Sequence, residues 1–204
     1  MLTLNSTCYR QQVNEAEFPI LGTEPIVVEF ANTLYGADRH DFLSTAASIN
    51  HWFAQMSPSL ASAEVFCRTA AESDRVRRLR DHVHKLFDAA TTGAVPASEA
   101  VAVVNDFAAA APPALTLAWS SDGTRRADWV GTAVGISAVL AKMATTAVEL
   151  LTTPAMGEIT RCSGPGCTLL FVRTHARRRF CHPSCGHRDR QARYYRRHHR
   201  GVGP

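Results

Sequence analysis

The feature that most limits what this 204-residue chain can fold into is a set of four cysteines near its C-terminus. They form two close pairs, Cys162 with Cys167 and Cys181 with Cys185, separated by thirteen residues. Four thiolates brought together tetrahedrally satisfy one zinc ion, and cysteine pairs in tight turns are how a chain presents them. Gly164-Pro165-Gly166 supplies the turn inside the first pair. The intervening Thr168–Phe180 holds Leu169-Leu170-Phe171-Val172 and Arg177-Arg178-Arg179-Phe180, which predicts a short hairpin. The second pair leads into a helix expected from Ser184 to about His199. Turn, hairpin, and a helix with ligands in its first turn make a treble-clef-like module. A segment of about forty residues with few large apolar side chains cannot fold on burial alone, so one structural zinc per chain would supply the folding energy. His175, His182 and His187 are spare imidazoles, one of which could replace a cysteine.

Disulfides are the alternative reading of an even cysteine count. The N-terminus has no basic region followed by an apolar run, so the expected location is the reducing cytoplasm, where paired thiols bind metal more often. Cys8 and Cys67 stand apart from the cluster, and Cys67 reads as a small buried hydrophobe in a helix. The most apolar stretch, Trp129 to Leu151, contains Lys142 and Glu149 and reads as a buried helix, with no membrane partner expected.

Charge divides the chain at the same place. From Arg161 onward there are eleven arginines against one acid, a balance of +10, while the preceding residues hold eleven basic and seventeen acidic side chains, a balance of −6. A basic segment of that density points to a polyanion. Its basic groups are all arginine, which favours forked contacts with phosphate and with guanine edges. Arg177, Arg178 and Arg179 on the hairpin and Arg188, Arg190, Arg193, Arg196, Arg197 and Arg200 on the helix are the candidate DNA contacts. Ala192 and Tyr195 are the candidates for packing that helix on the zinc core.

The acidic part reads as mostly helical. Val27, Phe30, Ala31 and Leu34 have helical spacing, although Ile26–Val28 leaves a strand open, and Gly36 stops the element. Ser44 or Thr45 can cap a helix through Ile49, Trp52, Phe53 and Met56 that ends near Pro58. A further helix runs from Ser59 to about Thr92, with a break open near Ser73-Asp74. Its apolar stripe is Val76, Leu79, Val83, Leu86 and Phe87, and Asp74–Lys85 forms a solvated charged face. Ser98 to about Ala110 is helical, with Val101, Val104 and Phe107 inward. Leu115–Trp119 and Thr124–Trp129 form a β-hairpin about Asp122-Gly123. The fold class is therefore α+β: a mostly helical domain with a small sheet over residues 1–155, then a zinc finger over 156–204.

These residues resemble bacterial proteins that carry a CGNR zinc finger behind an ABATE domain, described as stress-induced transcriptional regulators. Val28-Glu29-Phe30-Ala31-Asn32-Thr33 is similar to that family's LDFVNT element, and Asp41–Thr45 followed by Trp52 is similar to its next helix. The four cysteines, Phe171 and the arginines before Cys181 match in order and spacing. The naming motif reads Cys185-Gly186-His187-Arg188 here, Phe180 replaces a common Trp, and an Asp usual near Arg173 is absent. The resemblance implies a DNA-binding finger and an N-terminal module that senses an effector, dimerises, or both.

Asn32 and Thr33 are candidate effector-binding residues, with hydrogen bonding inside the core as the other reading. His82 and His84 point to different helix faces and make a poor metal pair. Trp52, Trp119 and Trp129 read as core or rim packing. Phosphate loops, nucleophile elbows and zinc-protease helices are absent from the sequence, so no enzyme is expected. The favoured function is zinc-dependent DNA binding by a regulator. An RNA- or ribosome-associated module, stacking bases on Tyr194 or Tyr195, is the alternative. A nuclease using His175 or His182 is a third, opposed by the fourth cysteine that closes the metal shell.

Overall fold

The computed structural model describes residues 18–60, 66–112, 114–130 and 134–198. It falls into two compact units, Met1–Leu43 with Pro154–Pro204, and Ser44–Thr153. The N-terminal segment, expected with the helical part, thus clusters with the zinc segment, and the helical unit lies between them in the chain.

In the first unit, α1 (Ile26–Asn32) resolves the choice between strand and helix at Ile26–Val28. Val27, Val28, Phe30 and Ala31 are fully buried, and tertiary packing overrides the β-preference of the branched run. Two-residue strands β1 (Leu34–Tyr35) and β2 (His40–Asp41) pair antiparallel after it, a feature with no sequence signal.

In the second unit, Thr45 caps α2 (Ala46–Leu60), accepting from Ser48 N at 3.0 Å. The helix runs two residues past Pro58. The next helix, α3 (Ala70–Thr92), starts at Thr69 because a capping box forms there: Thr69 Oγ1 accepts from Glu72 N, and Glu72 returns its carboxylate to Thr69 N. It continues unbroken through Ser73-Asp74, where Ser73 Oγ donates to Thr69 O at 3.2 Å. Its stripe of Val76, Leu79, Val83, Leu86 and Phe87 is buried as expected. The charged face is not wholly solvated: Arg80 is 1% exposed, with Nε 2.6 Å from Asp81, and Asp74 pairs with Arg77. His82 and His84 are both buried. Cys67 is buried just ahead of the helix, its backbone held by the Asn50 amide.

The rotation of α4 (Ser98–Ala109) differs from the expectation. Ala100, Val103 and Val104 turn inward, which leaves Val101 exposed and Phe107 half-buried beside Arg75. The hairpin forms, with β3 (Ala114–Trp119) paired to β4 (Arg125–Val130), and Trp119 is exposed under the Arg125 guanidinium. Trp129 belongs to β4, so α5 begins only at Gly135 and runs to Thr152. This helix is long and apolar enough to cross a membrane by length and composition. Here its Ile136, Val139, Leu140, Met143 and Ala147 are buried where it packs on α3 and α4.

Candidate metal centre and basic helix

The metal segment starts after a short 3-10 turn, Pro154–Glu158. Strand β5 (Ile159–Arg161) pairs antiparallel with β6 (Leu170–Val172), in the register Ile159 to Val172 and Arg161 to Leu170. The hairpin therefore straddles the first cysteine pair, where a hairpin inside Thr168–Phe180 was expected. Local apolar pattern marked β6 as a strand but said nothing of its partner.

Cys162 and Cys167 sit on the turn that joins these strands, closed by Cys167 N donating to Gly164 O at 3.0 Å. Both glycines are required. A Cβ on Gly164 would lie 2.7 Å from Cys185 Cβ and 3.3 and 3.4 Å from the sulfurs of Cys185 and Cys162. Gly166 has φ +71°, in the left-handed region. Cys181 precedes helix α6 (Pro183–His198), and Cys185 lies in its first turn, with Cys185 N donating to His182 O at 3.0 Å.

The result is a closed cluster. The four Sγ atoms lie within 4.8 Å of one another, and all four cysteines are buried. Cys181 Sγ is 3.7 Å from that of Cys167 and 3.6 Å from that of Cys185. Zinc–sulfur bonds of about 2.3 Å in a tetrahedron imply sulfur–sulfur edges of about 3.8 Å, so the cluster is the size a zinc ion needs. Gly164 N and Cys181 N each donate to Cys162 Sγ at 3.4 Å. The Cys162 thiol is pushed well below its ordinary range by hydrogen bonds from Cys167, Cys181 and Cys185, in that order. Cys167 and Cys181 are pushed up, first through their bond to Cys162. Four sulfurs this close carry full negative charge together only around a cation. Cys162, Cys167, Cys181 and Cys185 are the ligands of one structural zinc. His175, His182 and His187 are exposed and outside the cluster, and His182 Nδ1 is 2.8 Å from Ser184 Oγ.

Leu169 and Phe171 complete the small core, with Leu21, Tyr35 and Phe180 packed against it. The polar residues of the N-terminal segment serve the same module. Asn32 is 2% exposed; its Nδ2 donates to Leu170 O at 2.9 Å and its Oδ1 accepts from Leu170 N at 2.8 Å. Glu24 Oε2 accepts from Val172 N at 2.6 Å. Thr33 is 1% exposed, and its Oγ1 donates to Phe30 O at 2.6 Å. The Glu29 carboxylate, also buried, accepts from Leu21 N and Gly22 N, and burial is the main cause pushing its pKa up. Nothing local in the sequence marks Glu24 or Glu29 for these positions.

The arginines expected to contact DNA divide into two groups. Arg178 folds inward: its guanidinium donates to Val172 O at 2.9 Å and Cys181 O at 3.0 Å, and lies over the Phe171 ring. Arg188, half-buried, donates from Nη2 to Cys185 Sγ at 3.1 Å. Arg177, Arg179, Arg190, Arg193, Arg196 and Arg197 are exposed, with Arg193 pairing to Asp189 at 2.8 Å. Arg200 lies outside the described residues. Ala192 is half-buried, whereas Tyr195 is 54% exposed and so does not pack the helix on the core.

Compared with known families, residues 24–154 match the ABATE model, described as "putative stress-induced transcription regulator", and residues 158–198 match the CGNR zinc finger model. No curated protein matches the chain.

Proposed function

The chain belongs to the ABATE family, and from that premise we propose that it is a cytoplasmic regulator whose zinc finger binds DNA and which catalyses no reaction. The observation that carries this reading is the exposed arginine group on and before α6. Arg177 and Arg179 precede the second cysteine pair and Arg190, Arg193, Arg196 and Arg197 follow it along α6, and Asp189 is the acid among them. Zinc supplies folding energy to the module and takes no part in chemistry. The exposed arginines then meet phosphates and base edges from a fixed frame, which separates readout from plain charge attraction. Arg178 and Arg188 serve the frame itself: one ties β6 to the second cysteine pair, and the other places positive charge beside a zinc-bound sulfur. The helical unit binds an effector or a second copy of the chain, since one basic helix supplies few base contacts.

The test is fluorescence anisotropy of labelled duplex DNA at about 0.15 M salt, a level that screens weak charge contacts. Zinc-loaded protein should bind with measurable sequence preference, and chelation should abolish it. Unchanged binding after zinc removal would end this reading. Exposed Tyr194 and Tyr195, with Tyr194 packed edge-on against His198 at 4.1 Å, favour RNA as a second reading because such rings stack on unpaired bases. Tighter binding to single-stranded or structured RNA than to duplex DNA would select it.

A further inference from the structure

The structure assigns Asn32 and Glu24 to the zinc site as its positioning residues, which makes the finger a composite of two segments more than a hundred residues apart. Strand β6 has two backbone edges. One edge of this strand bonds to β5 through the ladder and its extensions, Cys162 N to Leu169 O at 2.9 Å and Arg173 N to Glu158 O at 2.7 Å. The other edge presents Leu170 N, Leu170 O and Val172 N. A sheet edge left open in a small module frays or pairs with another chain. Here Asn32 takes both groups of Leu170, as a neighbouring strand would, and Glu24 takes Val172 N. Gly36 N adds a bond to Thr168 Oγ1 at 2.8 Å.

Between those anchored residues stands Phe171, fully buried against the four cysteines together with Leu169. Holding the backbone at 170 and 172 therefore fixes a ring that belongs to the same buried cluster as the four cysteines. Leu21 and Tyr35 pack on that cluster from the same N-terminal segment. Residues outside a ligand set that orient it commonly change metal affinity by about 10- to 100-fold. The segment matched as a zinc finger, 158–198, lacks Leu21, Glu24, Asn32 and Tyr35. Both covalent links to the helical unit, at 43/44 and 153/154, leave from the segments that this clamp ties together.

The experiment uses the full, zinc-loaded chain and follows zinc transfer to a chromogenic chelator. Asn50 provides a matched control: its amide makes the same pair of bonds to the backbone of Cys67, at 3.2 and 2.7 Å, inside the helical unit. Asn32→Ala should release zinc about tenfold faster, and Asn50→Ala at the wild-type rate. Glu24→Ala should accelerate release, and Glu24→Gln, which keeps an acceptor for Val172 N, should restore it. Wild-type release from Asn32→Ala, or equal acceleration by Asn50→Ala, would overturn the assignment. If Asn32→Ala does not fold, the two Glu24 variants decide: identical release rates from both would refute it.

Discussion

Placing a single methyl group on Gly164 tests whether the cluster is as tight as its geometry requires. The added Cβ of Gly164→Ala would stand 2.7 Å from Cys185 Cβ, with two sulfurs at 3.3 and 3.4 Å. Carbon atoms in contact settle at about 3.5–4.0 Å, so the first turn must retreat from α6 by about 1 Å. Metal sites hold their ligand distances to within about 0.2 Å, and Cys162 and Cys167 flank the displaced glycine. The turn between β5 and β6 therefore cannot move that far and keep all four bonds. Overpacking of this kind costs about 1–3 kcal/mol, equivalent to about a 5- to 150-fold loss of zinc affinity. Cobalt substitution reads the outcome, because a tetrahedral four-thiolate shell gives an intense charge-transfer band, and competition with zinc gives the affinity. Gly157→Ala, whose Cβ would meet nothing within 4 Å, should leave both unchanged. An unaltered cobalt spectrum and zinc affinity in Gly164→Ala would show that the site is not closed as described.

Other perturbations reach separate parts of the molecule. Thr69→Ala removes the capping box of α3 and should lower stability by about 1 kcal/mol in urea unfolding. Because burial raises the Glu29 pKa, its contribution is complete below the free-carboxyl value of 4.5 and is lost as pH rises through the higher native value. The stability of wild type relative to Glu29→Gln, followed across that range, should fall with rising pH; a rising difference would contradict the sign. Arg196→Ala and Arg197→Ala should each reduce the salt slope of DNA binding by about 0.9 per lost phosphate contact, while zinc affinity stays unchanged. Equilibrium titrations at several salt concentrations measure both.

The parts legible in the sequence are those with short-range causes. The cysteine pairs span four and three residues, so turn chemistry and metal valence identify the site without tertiary information. The α3 stripe follows from helical period, and the β3–β4 turn from Asp122-Gly123. What escaped depends on partners far along the chain. Asn32 had a core role open to it from the sequence, but its partner lies 138 residues away. Glu24 likewise reaches β6 across 148 residues. Arg178 and Arg188 look like their neighbours in a basic run, yet backbone carbonyls and a sulfur claim them because the metal core forms beside them. Val101 was misplaced because helical period fixes a stripe's width but not which neighbour the helix turns toward.

The proposed function rests on a zinc-built frame that lets the arginines read nucleic acid. Its most direct test captures sheared genomic DNA on the zinc-loaded protein at about 0.15 M salt, sequences the bound fragments, and uses Cys181→Ser as the control. Discrete enriched sites that vanish in the variant are the predicted result. Uniform recovery of fragments, or the same sites from Cys181→Ser, would contradict it.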